Sequence, residues 1–568
     1  MYFEGSGAEI LVESLRVAGV EVLFGVPGDT GVALYDALGR QPCGPRHILA
    51  RAERSAASMA DAYARVAHRV GVVEASSGGG ATFLVGGLGE PYAASVPLLV
   101  ITSDIHRASR GSAAITEINQ VELFSAVTKH QVVIENASEM ATGVAEALRV
   151  ATSGRPGPVS LIVPEDVFEE HAQVTLPAMS DALLPVRTVT NLEIVPTVAA
   201  WLAQASRPAL VLGSGVHWSM AWSEIVVFAE RFGLPVATTI HGKGAFPERH
   251  ALSLGVAGAN GARDYSNEYL ATADVVLFMG TRANSTDTDG FRSPPRSTPR
   301  VIHVDIDPER AGKNYPGSLA LVGDVGHTVS RLLEEPLPHK DDRTQAIKTW
   351  IAARRARYEE PPSAHPPRGL DPRRIVEMVQ TYWGDNILVV GEPGTPTPYV
   401  SAYWTSPGFR RDVILPRGHG AMGFAIPAAV GLALAKPLDR VVAFTTDGSF
   451  AMACGELETV VRLQLPIIFL HLSNGSLGWI KALQHFYMDR RYFGVDFGSV
   501  DAVAVATAFG LKAYRVNTLE ELRQVLDDAM MERVPIFIDI PIPDEFEHLP
   551  PVAPWHATLV GNAGRPAY

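Results

Sequence analysis

Residues 445–479 read TTDGSFAMACGELETVVRLQLPIIFLHLSNGSLGW. An apolar run, RVVAF, leads into Asp447-Gly448-Ser449. A helical stretch follows, and a second apolar run, PIIFLHL, ends at Ser473-Asn474-Gly475-Ser476. Strand, helix and strand in this order form the unit of a parallel α/β sheet, whose strand ends lie side by side at the carboxyl edge. Asp447 and Asn474 then reach one cation from opposite sides. Carboxylate, amide and backbone carbonyl are hard oxygen ligands that suit Mg²⁺, with phosphate oxygens completing the shell. Gly448 lets a diphosphate approach the backbone, and the N-terminus of the following helix faces it. On the residues alone, a second reading stands beside this one: DG and SNG as two ordinary turns.

The same rhythm extends outward in both directions. VEVLFGVPG (20–28), RHILARAE (46–53), VGVVEAS (70–76), PLLVITSD (97–104) and GPVSLIVPED (157–166) are strand-to-turn units in a first block, 1–185. PALVLGSGV, LPVATTIHGKG, ADVVLFMGTR and PRVIHVDIDP form a second block, 191–340, and NILVVGE, VVAFTTDG, PIIFLHLSNG and VPIFIDIPI a third, 371–568. Residues 167–190 and the Pro-rich part of 341–372 read as linkers, the latter after a helix. The expected fold class is α/β, with three parallel-sheet domains. No tight sequence repeat joins the first and third blocks.

The chain has 568 residues, 47% hydrophobic and 19% charged, with a net charge of -13. That composition excludes a disordered chain or a coiled coil, and the acidic balance argues against a nucleic-acid binder. Two cysteines, Cys43 and Cys454, cannot build a disulfide framework or a cysteine-rich zinc site. Cys454 reads as a small buried hydrophobe. The start, MYFEGSGAEILVESL, lacks the pattern of a signal peptide, and no apolar run of about 18 residues is present. The expectation is a cytoplasmic enzyme that binds neither membrane nor nucleic acid.

The 445–479 segment resembles the diphosphate motif of the thiamine-diphosphate (ThDP) enzymes, GDG followed about two dozen residues later by NN. Here the leading Gly is Thr446 and the first Asn is Ser473, while Asp447 and Asn474 keep the ligand positions. Other segments resemble the acetolactate-synthase, pyruvate-oxidase and 2-oxo-acid-decarboxylase type of that family. They are GVEVLFGVPGDTGVALYDAL, ILARAERSAASMADAYARVA, GRPGPVSLIVPEDV, HGKGAFPERH, GTRANST, VIHVDIDP and HGAMGFAIPAAVGLAL, in the family's order over the whole chain. The resemblance implies a ThDP-binding fold with a pyrimidine domain, a central domain and a diphosphate domain.

It also implies roles. Asp447 and Asn474 bind Mg²⁺ through side chains and Ser476 through its carbonyl; Gly448 and Ser449 hold the diphosphate. Glu53, where the usual His-Glu is Ala52-Glu53, is the catalytic residue, bonded to N1′ of the aminopyrimidine. Without the resemblance, Glu53 is an acidic residue favourably opening a helix. Gly420 and Met422 supply backbone groups to the aminopyrimidine, and the Met422 side chain holds the cofactor bent. Glu392 and Thr395 lie at a diphosphate-side strand end. Gly28, Ser76, Ser77, Gly78, Thr116 and His419 line the substrate side, with Glu117 and Asn119 near them. Thr116 stands where acetolactate synthases have Gln. No paired-histidine motif emerges from His47, His106, His419 and His485, and His419 is the best placed of them to handle a proton.

The central domain of such enzymes binds FAD, ADP or CoA, or nothing. The flavin pattern is broken here at Gly280-Thr281-Arg282-Ala283-Asn284-Ser285, which leaves FAD as one of those outcomes. The expected activity is carboligation: decarboxylation of a 2-oxo acid and transfer of the remaining fragment to a carbonyl acceptor. A non-ligating 2-oxo-acid decarboxylase or a 2-hydroxyacyl-CoA-type lyase is the alternative, and a non-catalytic ThDP-fold binding protein the non-enzyme reading. A homodimer or homotetramer with active sites between subunits is the expected assembly.

Overall fold

The computed structural model describes residues 1–178, 183–186, 191, 193–336, 340–359, 366 and 368–559. Three six-stranded parallel α/β sheets carry the chain. Across the first, the strands run Arg46–Leu49, Val22–Val26, Gly71–Ala75, Leu98–Asp104, Val159–Pro164, His130–Val133. Across the third they run Val413–Ile414, Ile387–Gly391, Arg440–Thr446, Ile467–Ser473, Ile536–Pro541, Lys512–Arg515. Counted along each block, both orders are 2-1-3-4-6-5. The middle sheet runs Ser253–Val256, Val236–Thr238, Pro208–Leu212, Val275–Met279, Arg300–Asp305, Leu319–Val322, which is 3-2-1-4-5-6, the order of dinucleotide-binding sheets.

The central strands are largely apolar because helices cover both faces. VVLFM (275–279) and ILVVG (387–391) are buried at every position. By internal packing the chain forms two units. One comprises Met1–Val186, Pro416–Val441 and Ala451–Ile467; the other comprises Arg187–Leu415, Val442–Phe450 and Ile468–Tyr568. In the first unit, helix Ala425–Ala435 lies against helix Glu53–Ala67. Both are rich in small residues, and a Cβ on Gly431 would overlap the carbonyl oxygen of Met59. Helix Gly7–Val17 starts at a capping box in which Ser6 and Glu9 each accept the other's backbone N–H.

The expected linker 167–190 is structured in its first part. Helix Glu165–Glu169 ends there, and strand His171–Thr175 pairs antiparallel with Tyr2–Ser6. Residues 179–182 and 187–190 of that stretch lie outside the described residues. The helix expected before the second linker is Asp341–Glu359, and residues 360–365 and 367 lie outside the described residues. Cys454 is half-buried rather than buried, because it opens a short 3-10 turn at the end of helix Asp447–Ala453. Among the described residues, no helix is long and apolar enough to cross a membrane.

Candidate active site

In the second unit, strand Arg440–Thr446 hands over directly to helix Asp447–Ala453, and strand Ile467–Ser473 ends beside it. The Asp447 carboxylate accepts the backbone N–H groups of Asn474 (2.9 Å) and Gly475 (3.1 Å). Its other oxygen lies 3.7 Å from Nε2 of the buried His471. Burial opposes ionisation of Asp447, but the His471 ring and the two N–H groups outweigh it and hold the carboxyl below the usual range. Asn474 Oδ1 accepts the N–H and the hydroxyl of Ser476, both at 3.2 Å, and Asn474 Nδ2 is buried without a protein partner. Gly448 and Ser449 are buried at the helix start.

The neighbouring strand end, after Ile387–Gly391, brings Glu392 and Thr395 into the same unit, both buried. Order reverses between these two strands of the sheet, so the cluster sits at the carboxyl-edge crevice where α/β sheets bind ligands. Thr395 donates its hydroxyl to Glu545. Burial pushes the Glu545 carboxyl up to about 7, and its second oxygen has no protein partner. Gly394 and Gly475 both adopt positive φ (119° and 70°) and face open space where a Cβ would be. Among the described residues, no group of three or more His, Cys, Asp or Glu side chains is placed to hold a metal. One carboxylate with an amide oxygen and a carbonyl is a donor set that needs further oxygens from a ligand, and the orphaned Asn474 Nδ2 is a donor that a ligand's anionic oxygen would satisfy.

In the first unit, Glu53 is the first residue of helix Glu53–Ala67, half-buried, with no side-chain cap before it. Gly80 makes room for it: a Cβ there would lie 3.4 Å from Glu53 Oε1 and 2.7 Å from Ser76 Oγ. Ser77 and Thr116 are joined by a hydroxyl bond of 2.7 Å, Thr30 bonds both Ser77 (3.2 Å) and Ser103 (2.7 Å), and a Cβ on Gly28 would overlap Ser76. Thr116 sits at φ 66°, a strained state for a β-branched residue, and Gly78 packs against its backbone. Gly28, Ser76, Ser77, Gly78 and Thr116 therefore form one cluster. Glu117 and Asn119 are turn-makers: Glu117 accepts the N–H groups of Gly111 and Ala114, and Asn119 caps helix Gln120–Phe124.

Gly420 (φ 79°) and half-buried Met422 precede helix Ala425–Ala435, with His419 beside Gly89. The other histidines have structural partners. His47 meets Tyr35 (3.1 Å) and Glu74, His106 accepts the Ala108 N–H, and His485 stacks on Phe546 at 4.2 Å. Three buried acids escaped the sequence reading. Glu74 lies under Tyr35 with its carboxyl pushed up by burial, Glu90 accepts the Gly418–Gly420 N–H groups, and Glu545 sits beside Thr395. A lone acid inside an apolar strand (VGVVEAS) or a Gly-rich helix (GGLGEPYA) was the available signal.

At the switch point of the middle sheet, Gly213 N–H bonds Met279 O and Gly215 N–H bonds Gly280 O, both at 2.9 Å. Both N–H groups are thus used within the sheet edge, which leaves neither with a free proton for a ligand.

Residues 5–123, 195–332 and 393–540 match, in turn, the thiamine pyrophosphate enzyme N-terminal TPP binding domain, central domain and C-terminal TPP binding domain. Over 96% of its length the chain is 32% identical to a probable acetolactate synthase large subunit of Methanocaldococcus jannaschii, covering 93% of that protein. It is 33% identical to the acetolactate synthase large subunit of Parasynechococcus marenigrum, over 99% of this chain and 92% of that one. With the Lactococcus lactis acetolactate synthase large subunit, identity is 31% over 97% and 94%.

Proposed function

The chain belongs to the thiamine pyrophosphate enzymes, and from that premise we propose a ThDP- and Mg²⁺-dependent carboligase that decarboxylates a 2-oxo acid and transfers the remainder to a carbonyl acceptor. The observation that carries this reading is the Asp447–Asn474 pair at the carboxyl edge of the third sheet, together with full-length similarity to acetolactate synthases. Asp447, Asn474 and the Ser476 carbonyl would hold Mg²⁺. Gly448 and Ser449 would hold the diphosphate, with Glu392 and Thr395 at the adjoining strand end. Gly420 and Met422 would hold the aminopyrimidine through backbone groups.

When bound, the cofactor supplies a nucleophilic carbon and an electron sink for loss of CO₂. The chain's own part is acid–base and positional. The Glu53 carboxyl would exchange a proton with N1′ of the pyrimidine ring. Gly28, Ser77, Gly78, Thr116 and His419 would line the substrate side, where the Ser77–Thr116 bond holds the loop that replaces the relatives' Gln. Holding donor and acceptor in one closed site removes the entropy cost of a bimolecular encounter.

The same reading assigns 1–185 to the pyrimidine domain, 191–340 to the central domain and 371–568 to the diphosphate domain. It also assigns a cytoplasmic homodimer or homotetramer with active sites between subunits. Incubation with ThDP, Mg²⁺ and a panel of 2-oxo acids, with and without added carbonyl acceptors, tests the activity. A hydroxyketone or 2-hydroxy-2-alkyl-3-oxo acid product supports carboligation. CO₂ and free aldehyde alone would reassign the enzyme to the decarboxylases.

A further inference from the structure

Glu90 lies in helix Gly79–Ala93, among glycine, alanine and apolar residues, and is 2% exposed. A carboxylate is retained at such a site only where its charge is matched. One oxygen, Oε1, accepts Arg65 Nη2 at 3.2 Å and the Gly418 N–H at 3.1 Å. The other, Oε2, accepts the His419 N–H at 2.7 Å and the Gly420 N–H at 3.3 Å. Arg65, itself fully buried, gives Nε and Nη2 to Asp61 at 2.7 and 2.9 Å. Asp61 and Arg65 belong to helix Glu53–Ala67. A continuous buried chain thus runs from that helix, through Glu90, to the loop before helix Ala425–Ala435.

Three successive N–H groups turned onto one carboxylate form an anion nest. Because each peptide is planar and trans, the carbonyls of Arg417, Gly418 and His419 are then directed away from Glu90. The loop also rests directly on the Glu90 helix. A Cβ on Gly89 would lie 2.7 Å from the His419 ring, and one on Gly418 would lie 3.0 Å from the Ala94 nitrogen. Gly420, at φ 79°, takes the left-handed turn that the nest requires.

We infer that Glu90 is a positioning residue: its carboxylate, anchored by Arg65 and Asp61, sets the peptide planes of Gly418–Gly420 and so presents the Gly420–Met422 backbone to the aminopyrimidine. The inference rests on the reading that Gly420 and Met422 hold that ring. Glu90 does not touch the reacting atoms; it acts through the loop.

The test uses the full chain carrying Glu90→Gln, which removes the charge at nearly constant shape and leaves Arg65 paired with Asp61, and Glu90→Asp, which keeps the charge. Hydrogen exchange of the protein without cofactor reads the loop directly. The expected result is exchange about tenfold faster or more at Gly418–Gly420 in Glu90→Gln, with strand Leu98–Asp104 unchanged. ThDP affinity, titrated at saturating Mg²⁺, should fall by about tenfold or more, and Glu90→Asp should recover part of both effects. Unchanged exchange at Gly418–Gly420, or faster exchange in the same proportion everywhere, would overturn the inference. So would a loosened loop with undiminished ThDP affinity. Failure of the unsubstituted protein to bind ThDP would instead remove the proposed function, while faster exchange confined to the loop would still assign Glu90 its hold on those peptides.

Discussion

The carboxylate of Asp447 accepts the N–H groups of Asn474 and Gly475, 27 and 28 residues further along the chain. One side chain therefore ties the ends of two adjacent parallel strands, and the two proposed metal ligands are held in register before any cation arrives. Preorganisation of this kind reduces the ordering cost of binding.

Asp447→Asn keeps an oxygen for those N–H groups but removes the charge. ThDP affinity in the presence of Mg²⁺ should fall by at least the ~10–100-fold that loss of an outer-shell partner costs a metal site. The thermal midpoint of the cofactor-free protein should also fall, since the folded state favours the Asp447 charge. Titration of ThDP at fixed Mg²⁺, beside a melting curve, checks both; full affinity would remove Asp447 from the metal site.

Asp371 caps helix Pro372–Trp383 through the Arg373 N–H (2.8 Å) and meets His548 at 3.0 Å. Burial works against its charge, but the His548 ring and the capped backbone hold the carboxyl below the usual range. Its contribution is therefore present above the unfolded carboxyl's pKa of about 4 and is lost as pH falls through the lower folded value. Asp371→Ala should cost about 1–2 kcal/mol at pH 7. The gap from the parent should hold down to about pH 5 and narrow as the pH drops below it, through the lower folded value. Urea unfolding across that range reads it, and a gap independent of pH would contradict the assignment.

Gly431 lets helix Ala425–Ala435 approach the Met59 carbonyl on helix Glu53–Ala67. Gly431→Val forces those backbones apart. The expected loss is about 1–3 kcal/mol or more, by analogy with overpacked cores. Chemical denaturation measures it directly, and an unaltered midpoint would mean that the contact does not hold the helices.

The bonded glycine turn at Gly213–Gly215 predicts that the purified protein lacks flavin absorption, before and after incubation with FAD. A yellow protein with stoichiometric flavin would refute that reading of the central sheet.

Much of the fold is legible in the sequence because central parallel strands are apolar on both faces and stop at glycine-rich turns. Arg46–Leu49 apart, the edge strands escape because they lack that signature. Lys512–Arg515 (KAYR) is charged and partly exposed, and Val413–Ile414 has two residues. The shared 2-1-3-4-6-5 order of the first and third sheets is equally invisible, since it resides in pairing rather than in any repeat of residues. At the site, Asp447 and Asn474 can be read from local spacing. The hold of Glu90 on its loop cannot, because the Gly418–Gly420 N–H groups lie 328–330 residues away. Thr395 and Glu117 show the converse: plausible site chemistry by position, with Thr395 bonded to Glu545 and Glu117 folding its own loop.

The central claim is that Glu53 activates the bound cofactor. Exchange of the thiazolium C2 proton for deuterium on bound ThDP measures that step without any substrate. Glu53→Gln should fold and bind ThDP, and its exchange should be slower than the parent's by about 10²–10⁴-fold, the range of a lost acid–base group. Exchange at the parent rate in a Glu53→Gln protein saturated with ThDP would contradict the account.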